Sequence, residues 1–180
     1  MKILISAFLG VLSWPILEYV LHRYVGHVWK LNTLFKKEHS RHHREVHYFA
    51  PLTYKVLASI PILGVLFSIV GGITASWQIG LGYSVGFIAM FSVYEWFHWV
   101  CHARAPRTNL GLRLRKHHLG HHFHNAQMNH GVTSTWIDRV TGTYLEIPVI
   151  RVPKAFPLPW LLNADQSGIA EQYAKDFQFK

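Results

Sequence analysis

Histidine dominates the chemistry-bearing residues of this chain, and its spacing is regular. Ten of the fourteen histidines fall into four short groups: His22 and His27 (HxxxxH), His39 with His42 and His43 (HxxHH), His98 and His102 (HxxxH), and His118 with His121 and His122 (HxxHH). Positions i, i+3 and i+4 share one face of an α-helix, so each HxxHH group is expected to point its three rings together, as is the i, i+4 pair. The first pair is five apart, which an unbroken α-helix splays by about 140 degrees, so Gly26 is expected to end that helix and let His27 turn back. Imidazole is costly to bury without partners, and in such numbers it points to metal ligation. A lone HxxxH arises readily by chance, whereas four such groups in one chain are specific as a set. Ten rings are enough for two metals, and a single metal would leave most of them unexplained. Imidazole suits Fe, Zn, Cu and Ni, and the only cysteine, Cys101, offers neither a thiolate site nor an intrachain disulfide.

The elements that position these groups follow from the apolar runs between them. Half of the 180 residues are hydrophobic, 14% are aromatic and only 15% are charged, against about 25% charged in soluble proteins. Three stretches are expected to span a membrane, at about 3–21, 56–75 and 79–100, the last only if it continues past Glu95. The apolar start could be a secretory signal. It lacks a small-x-small cleavage site before Glu18 and leads straight into His22, so it is expected to be a retained anchor. The net charge of +9 could indicate nucleic acid, but its placement argues otherwise. Lys and Arg concentrate in 22–55 and 101–154, while the turn at 76–78 carries none. By the positive-inside rule both basic segments, and with them every histidine group, face the cytoplasm; the excess then serves topology and anionic headgroups, with no nucleic-acid partner.

The expected architecture is an all-α integral membrane protein with three transmembrane helices, or four, and a cytosolic helical cap carrying a histidine-rich dimetal site. The whole of 1–180 is one domain, ending in a Pro-rich tail, 155–180, read as a surface segment finishing in a short amphipathic helix. Glu18 and Glu95 stand in otherwise uncharged segments, each one helical turn before a histidine. Intramembrane acids tend to be functional, and metal-bound histidines commonly donate their second ring N–H to a carboxylate. Asp138 is a third candidate for that supporting role, with pairing to Arg139 or an N-cap as its plain alternatives. Trp96, Phe97, Trp99, Phe123 and Trp136 could line an apolar channel or sit as an interfacial aromatic belt.

The order HxxxxH, HxxHH, HxxxH, HxxHH, followed by GVTSTWIDRVTGTY at 131–144, resembles the fatty acid hydroxylase/sterol desaturase superfamily of membrane di-iron oxygenases. The likeness covers about residues 14–146 and is closest to the fatty acid 2-hydroxylase branch. It implies that His22, His27, His39, His42, His43, His98, His102, His118, His121 and His122 ligate two iron ions, for which zinc could substitute in a purified sample. It also implies O2-dependent hydroxylation of a lipid C–H bond, most naturally in a fatty acyl chain. No haem-binding segment precedes the first span, so electrons are expected from a separate redox protein. His117, His124 and His130 are extra to the pattern, and His117 competes with His118 for its place in the register. The alternatives are a carotenoid ring hydroxylase, a sterol or lipid desaturase of the same superfamily, or a membrane metal-binding or transport protein without redox chemistry. Transporters place such ligands at the bilayer midplane on broken helices, unlike the arrangement here.

Overall fold

A computed structural model describes all 180 residues, Met1–Lys180. It is mostly helical. Helix α1 (Lys2–Val20) runs on as a π-helical segment, Leu21–Val28; then follow α2 (Leu34–Arg44), α3 (Leu52–Thr74), α4 (Trp77–Ala103), α5 (Asn109–Phe123) and the short α6 (Trp136–Thr141). Two strands, β1 (Ile150–Val152) and β2 (Phe177–Phe179), pair in parallel with Ile150 opposite Phe177. The chain divides into two compact units, one of Met1–Glu18 with Ala50–Trp96 and one of Tyr19–Phe49 with Phe97–Lys180.

The first unit is apolar. Lys2–Val28 and Leu52–Thr74 are each long and apolar enough to cross a membrane, and no residue of α3 is buried. The segment 79–100 lies within α4. Within this unit α1 and α4 touch backbone to backbone: a Cβ on Gly86 would fall 1.8 Å from the Ala7 carbonyl oxygen. Polar bonds brace the same contact, from Ser6 Oγ to the Ile79 carbonyl (2.6 Å) and from Tyr83 to Ser13 (2.6 Å). Trp14 packs edge-on to Phe87 and tilted against Phe91 and Tyr94. Glu95 is ion-paired with Lys55. The turn between α3 and α4 puts Ala75 in the left-handed region, φ 50°.

The second unit holds the histidines. Thr33 caps α2, its hydroxyl accepting from the Lys36 N–H, and Thr108 caps α5 through Gly111. Arg115, buried on α5, donates to the carbonyls of Val100 in the last turn of α4, of Arg104 and Ala105 just beyond it, and of Gly111 on its own helix. One side chain thereby satisfies carbonyls that the helix terminus leaves over and ties the two histidine helices together.

Two expectations are corrected here. The tail is not a surface segment with a terminal helix. It folds into two 3-10 turns and β2, and its Leu158, Leu161, Tyr173 and Phe177 close a core with Ile150, Val152 and Leu119 of α5. An ion pair, Lys116 to Asp176 at 2.6 Å, binds the same helix to the tail. The fold is therefore not purely α. Nor does Gly26 end the first helix. The backbone widens into a π-helix through Val28, and that wider turn brings residues five apart toward one side without a break.

Candidate metal centre

Ten histidines converge in the second unit as two groups of five. The first is His22, His27, His39, His43 and His121; the second is His42, His98, His102, His118 and His122, and within each the donor nitrogens all lie within 4.8 Å of one another. Every residue expected from the four motifs is in one group or the other. The allocation within the motifs is not what helical spacing suggests. In α2 the i, i+4 pair His39 and His43 enters the first group while His42 crosses to the second. In α5 the pair His118 and His122 enters the second group while His121 crosses to the first. His22 and His27 complete the first group, and His98 and His102 the second.

The atoms that meet are the Nε2 nitrogens. His22 lies 2.8 Å from His121, His27 2.8 Å from His39, His39 3.1 Å from His43, and His43 3.1 Å from His121. In the second group His42 is 2.9 Å from His98, and His102 is 2.8 Å from His118. Imidazole–metal bonds of about 2.1 Å set at right angles would space their nitrogens about 3.0 Å apart.

The protonation pattern shows that these contacts are not all hydrogen bonds. His22 Nδ1 lies 2.5 Å from the His130 carbonyl, and His121 Nδ1 lies 2.8 Å from the Met128 carbonyl. A carbonyl only accepts, so each Nδ1 carries the proton and each Nε2 is a bare lone pair. Two lone pairs 2.8 Å apart repel unless a cation lies between them. His42 is oriented the same way, its Nδ1 donating to the Tyr48 carbonyl at 2.7 Å. Both ring nitrogens of His122 are buried and unpartnered, a costly state that a metal at one of them would relieve. The residues present therefore fit two metal ions.

Electrostatics favours the ligating form. Burial, followed by the charge of neighbouring histidines, holds His39, His118, His121 and His122 well below the ordinary imidazole range. His43 is lowered to about 3 by burial and then by His27, His42 and His130. These rings are neutral near pH 7 and keep a free lone pair. The groups differ in access: in the first His27, His39 and His43 are half-buried, with His22 and His121 buried, whereas in the second only His122 is half-buried.

Of the three acidic candidates, Glu18 and Glu95 belong to the first unit. Asp138 belongs to the second, is fully buried, and bonds His117 at 3.0 Å. His117 and His130 enter neither group, and His124 accepts from the Arg151 N–H. Trp136 is 50% exposed. Sequence reasoning missed Phe49, whose ring lies 4.9, 5.2 and 5.5 Å from those of His42, His98 and His102. It also missed Phe35, stacked on His39 at 5.8 Å. The carbonyls of Tyr48, Met128 and His130 were missed too, and a main-chain acceptor leaves no mark in a sequence.

Fold and site together define a helical protein with a paired, all-imidazole site able to hold two metal ions. The chain belongs to the fatty acid hydroxylase family, which matches residues 7–143. It is 31% identical over 148 residues to a dihydroceramide fatty acyl 2-hydroxylase of Arabidopsis thaliana, covering 78% of this chain and 60% of the relative. It is 30% identical over 145 residues to a ceramide very long chain fatty acid hydroxylase of Saccharomyces cerevisiae, covering 76% and 37% respectively. Among solved structures, full-length scs7p, with only its hydroxylase domain visible, superposes with a TM-score of 0.62 at 25% identity, over 79% of this chain and 57% of that one. The chain thus spans about 60% of the length of the Arabidopsis relative.

Proposed function

We propose that this chain is a membrane hydroxylase that uses two iron ions and O2 to hydroxylate a fatty acyl chain, in a ceramide-type lipid or a precursor of one. The observation that carries the reading is the pair of five-imidazole groups whose donor nitrogens converge. Family membership gives it a reaction class, and the substrate follows from the names of the relatives.

In this reading the ten histidines are the metal ligands, five to each ion. Iron held by these rings would supply the O2-dependent oxidation of a C–H bond, one oxygen atom going to the product and the other to water, with two electrons from a redox partner and two protons. The protein's own part is positional. The carbonyls of His130, Met128 and Tyr48 fix three of the rings as Nδ1–H tautomers, so that Nε2 faces the metal. Burial keeps the rings neutral and limits water at the second group. Phe49 lays an apolar surface against that group, of the kind an alkyl chain can meet. The apolar helices, counting 79–100 as a third span, hold the enzyme where its lipid is dissolved, with the histidine groups on the cytoplasmic side.

The test is lipid extraction and mass spectrometry of cells expressing wild type beside a His118→Ala, His121→Ala double variant, which removes one ligand from each group. A hydroxylated acyl lipid present only with wild type, and close to two irons per purified wild-type chain, is the expected result. Identical lipids in both strains, with metal held by wild type alone, would reject the enzyme in favour of metal binding or transport.

A further inference from the structure

Asp138 lies outside both histidine groups, yet its bonds lead into the first. The carboxylate is fully buried and meets four donors. Oδ1 accepts from the His130 N–H (2.9 Å) and the Thr143 hydroxyl (2.8 Å); Oδ2 accepts from the Gly131 N–H (2.8 Å) and His117 Nε2 (3.0 Å). A buried carboxylate is sustained only by such a full set of partners.

The geometry of one peptide bond gives this hub its reach. The carbonyl of His130 and the N–H of Gly131 belong to the same planar trans unit and point in opposite directions. Asp138 grips the N–H, so the carbonyl is aimed the other way, where it accepts from His22 Nδ1 at 2.5 Å. A charged acceptor on the N–H also polarises the unit and makes its carbonyl a stronger acceptor. The surroundings admit little slack. A Cβ on Gly131 would fall 2.1 Å from the Ser134 carbonyl oxygen. Asn129 pins the preceding turn through two bonds to the main chain of Leu145 (2.8 and 2.7 Å).

We propose that Asp138 is a positioning residue for the first histidine group: by holding the His130–Gly131 peptide it fixes the tautomer and direction of His22, which then presents Nε2 to the metal. The inference rests on the metal reading of the preceding subsection. It is confined to the first group, because His42 of the second takes its orientation from the Tyr48 carbonyl. An Asn in place of Asp138 keeps the shape but removes the charge and sets its NH2 against one of the two main-chain N–H donors, His130 at Oδ1 or Gly131 at Oδ2, loosening the loop that carries the His130 carbonyl.

The experiment is Co(II) titration of the full-length, metal-stripped protein in detergent micelles, followed by visible absorption and by metal per chain. Wild type is expected to bind two ions. Asp138→Asn should bind one as wild type does and the other about ten- to hundredfold more weakly, the usual cost of losing a ligand's supporting partner. In a His22→Ala background the same change should cost nothing further, whereas in a His118→Ala background its effect should persist. Should Asp138→Asn not accumulate, Thr143→Ala, which removes one donor to Oδ1, is expected to weaken the same single ion. Equal binding by wild type and Asp138→Asn, equal weakening of both ions, or a further loss on top of His22→Ala would each overturn the proposal. A wild-type chain that takes up no cobalt defeats the metal reading beneath it, a failure visible before any variant is made.

Discussion

Gly26→Ala separates the folding role of the π-helical segment from its role at the site, because the two effects have opposite signs. A Cβ at this position would stand 3.0 Å from His39 Cδ2 and 3.4 Å from His39 Nε2. Carbon atoms prefer about 3.5–4.0 Å, so the ring must retreat by roughly half an ångström. His39 Nε2 lies 2.8 Å from His27 and 3.1 Å from His43, and metal–ligand distances tolerate only about ±0.2 Å. The first group should then bind its metal about tenfold more weakly, a cost of about 1.4 kcal/mol. The metal-free protein gains instead, since Ala in place of Gly in a helical interior is worth about 0.5–1 kcal/mol. The assay pairs reversible denaturation of the stripped protein in mixed micelles with Co(II) titration. An unchanged affinity at the first group, or a stripped protein less stable than wild type, would refute the reasoning.

Two further predictions concern single side chains. His121→Ala and His122→Ala, although adjacent, should each leave one metal per chain but at different groups, the first losing the ion of His22 and the second that of His98; elemental analysis with cobalt spectra tells the two apart. Phe177→Ala removes a ring that is 1% exposed and packed edge-on to Trp160 at 5.6 Å. It should destabilise the second unit by about 3–5 kcal/mol in a denaturant titration; a loss under about 1 kcal/mol would mean that the tail is not the core element described.

The histidine motifs were legible because ligand chemistry demands a residue type and a helix demands a spacing: His39 with His43, and His118 with His122, came from period alone. The crossing of His42 and His121 was hidden, since i+3 and i+4 lie on one face and only tertiary packing decides which neighbour each ring meets. The π-helix was hidden too. HxxxxH mismatches an α-helix, and a break at Gly26 or a widened turn resolves the mismatch equally well on paper. The tail misled because its prolines and mixed charges look like solvent-facing chain, while the pairing of Ile150 with Phe177 is long-range and leaves no local pattern. Asp138 could be singled out as an acid near the last motif, but its link to His22 runs through a main-chain carbonyl that no side chain announces.

His42 and His43, like His121 and His122, are joined by a single peptide bond and serve opposite groups. Consecutive Cα atoms are held about 3.8 Å apart by covalent geometry, so two such links tie the groups together at a distance that no side-chain rearrangement alone can greatly alter. A slide of α2 or α5 along its axis would carry both groups with it rather than open one against the other. The pair is geared: whatever enters or leaves the site must do so without changing the interval between its halves.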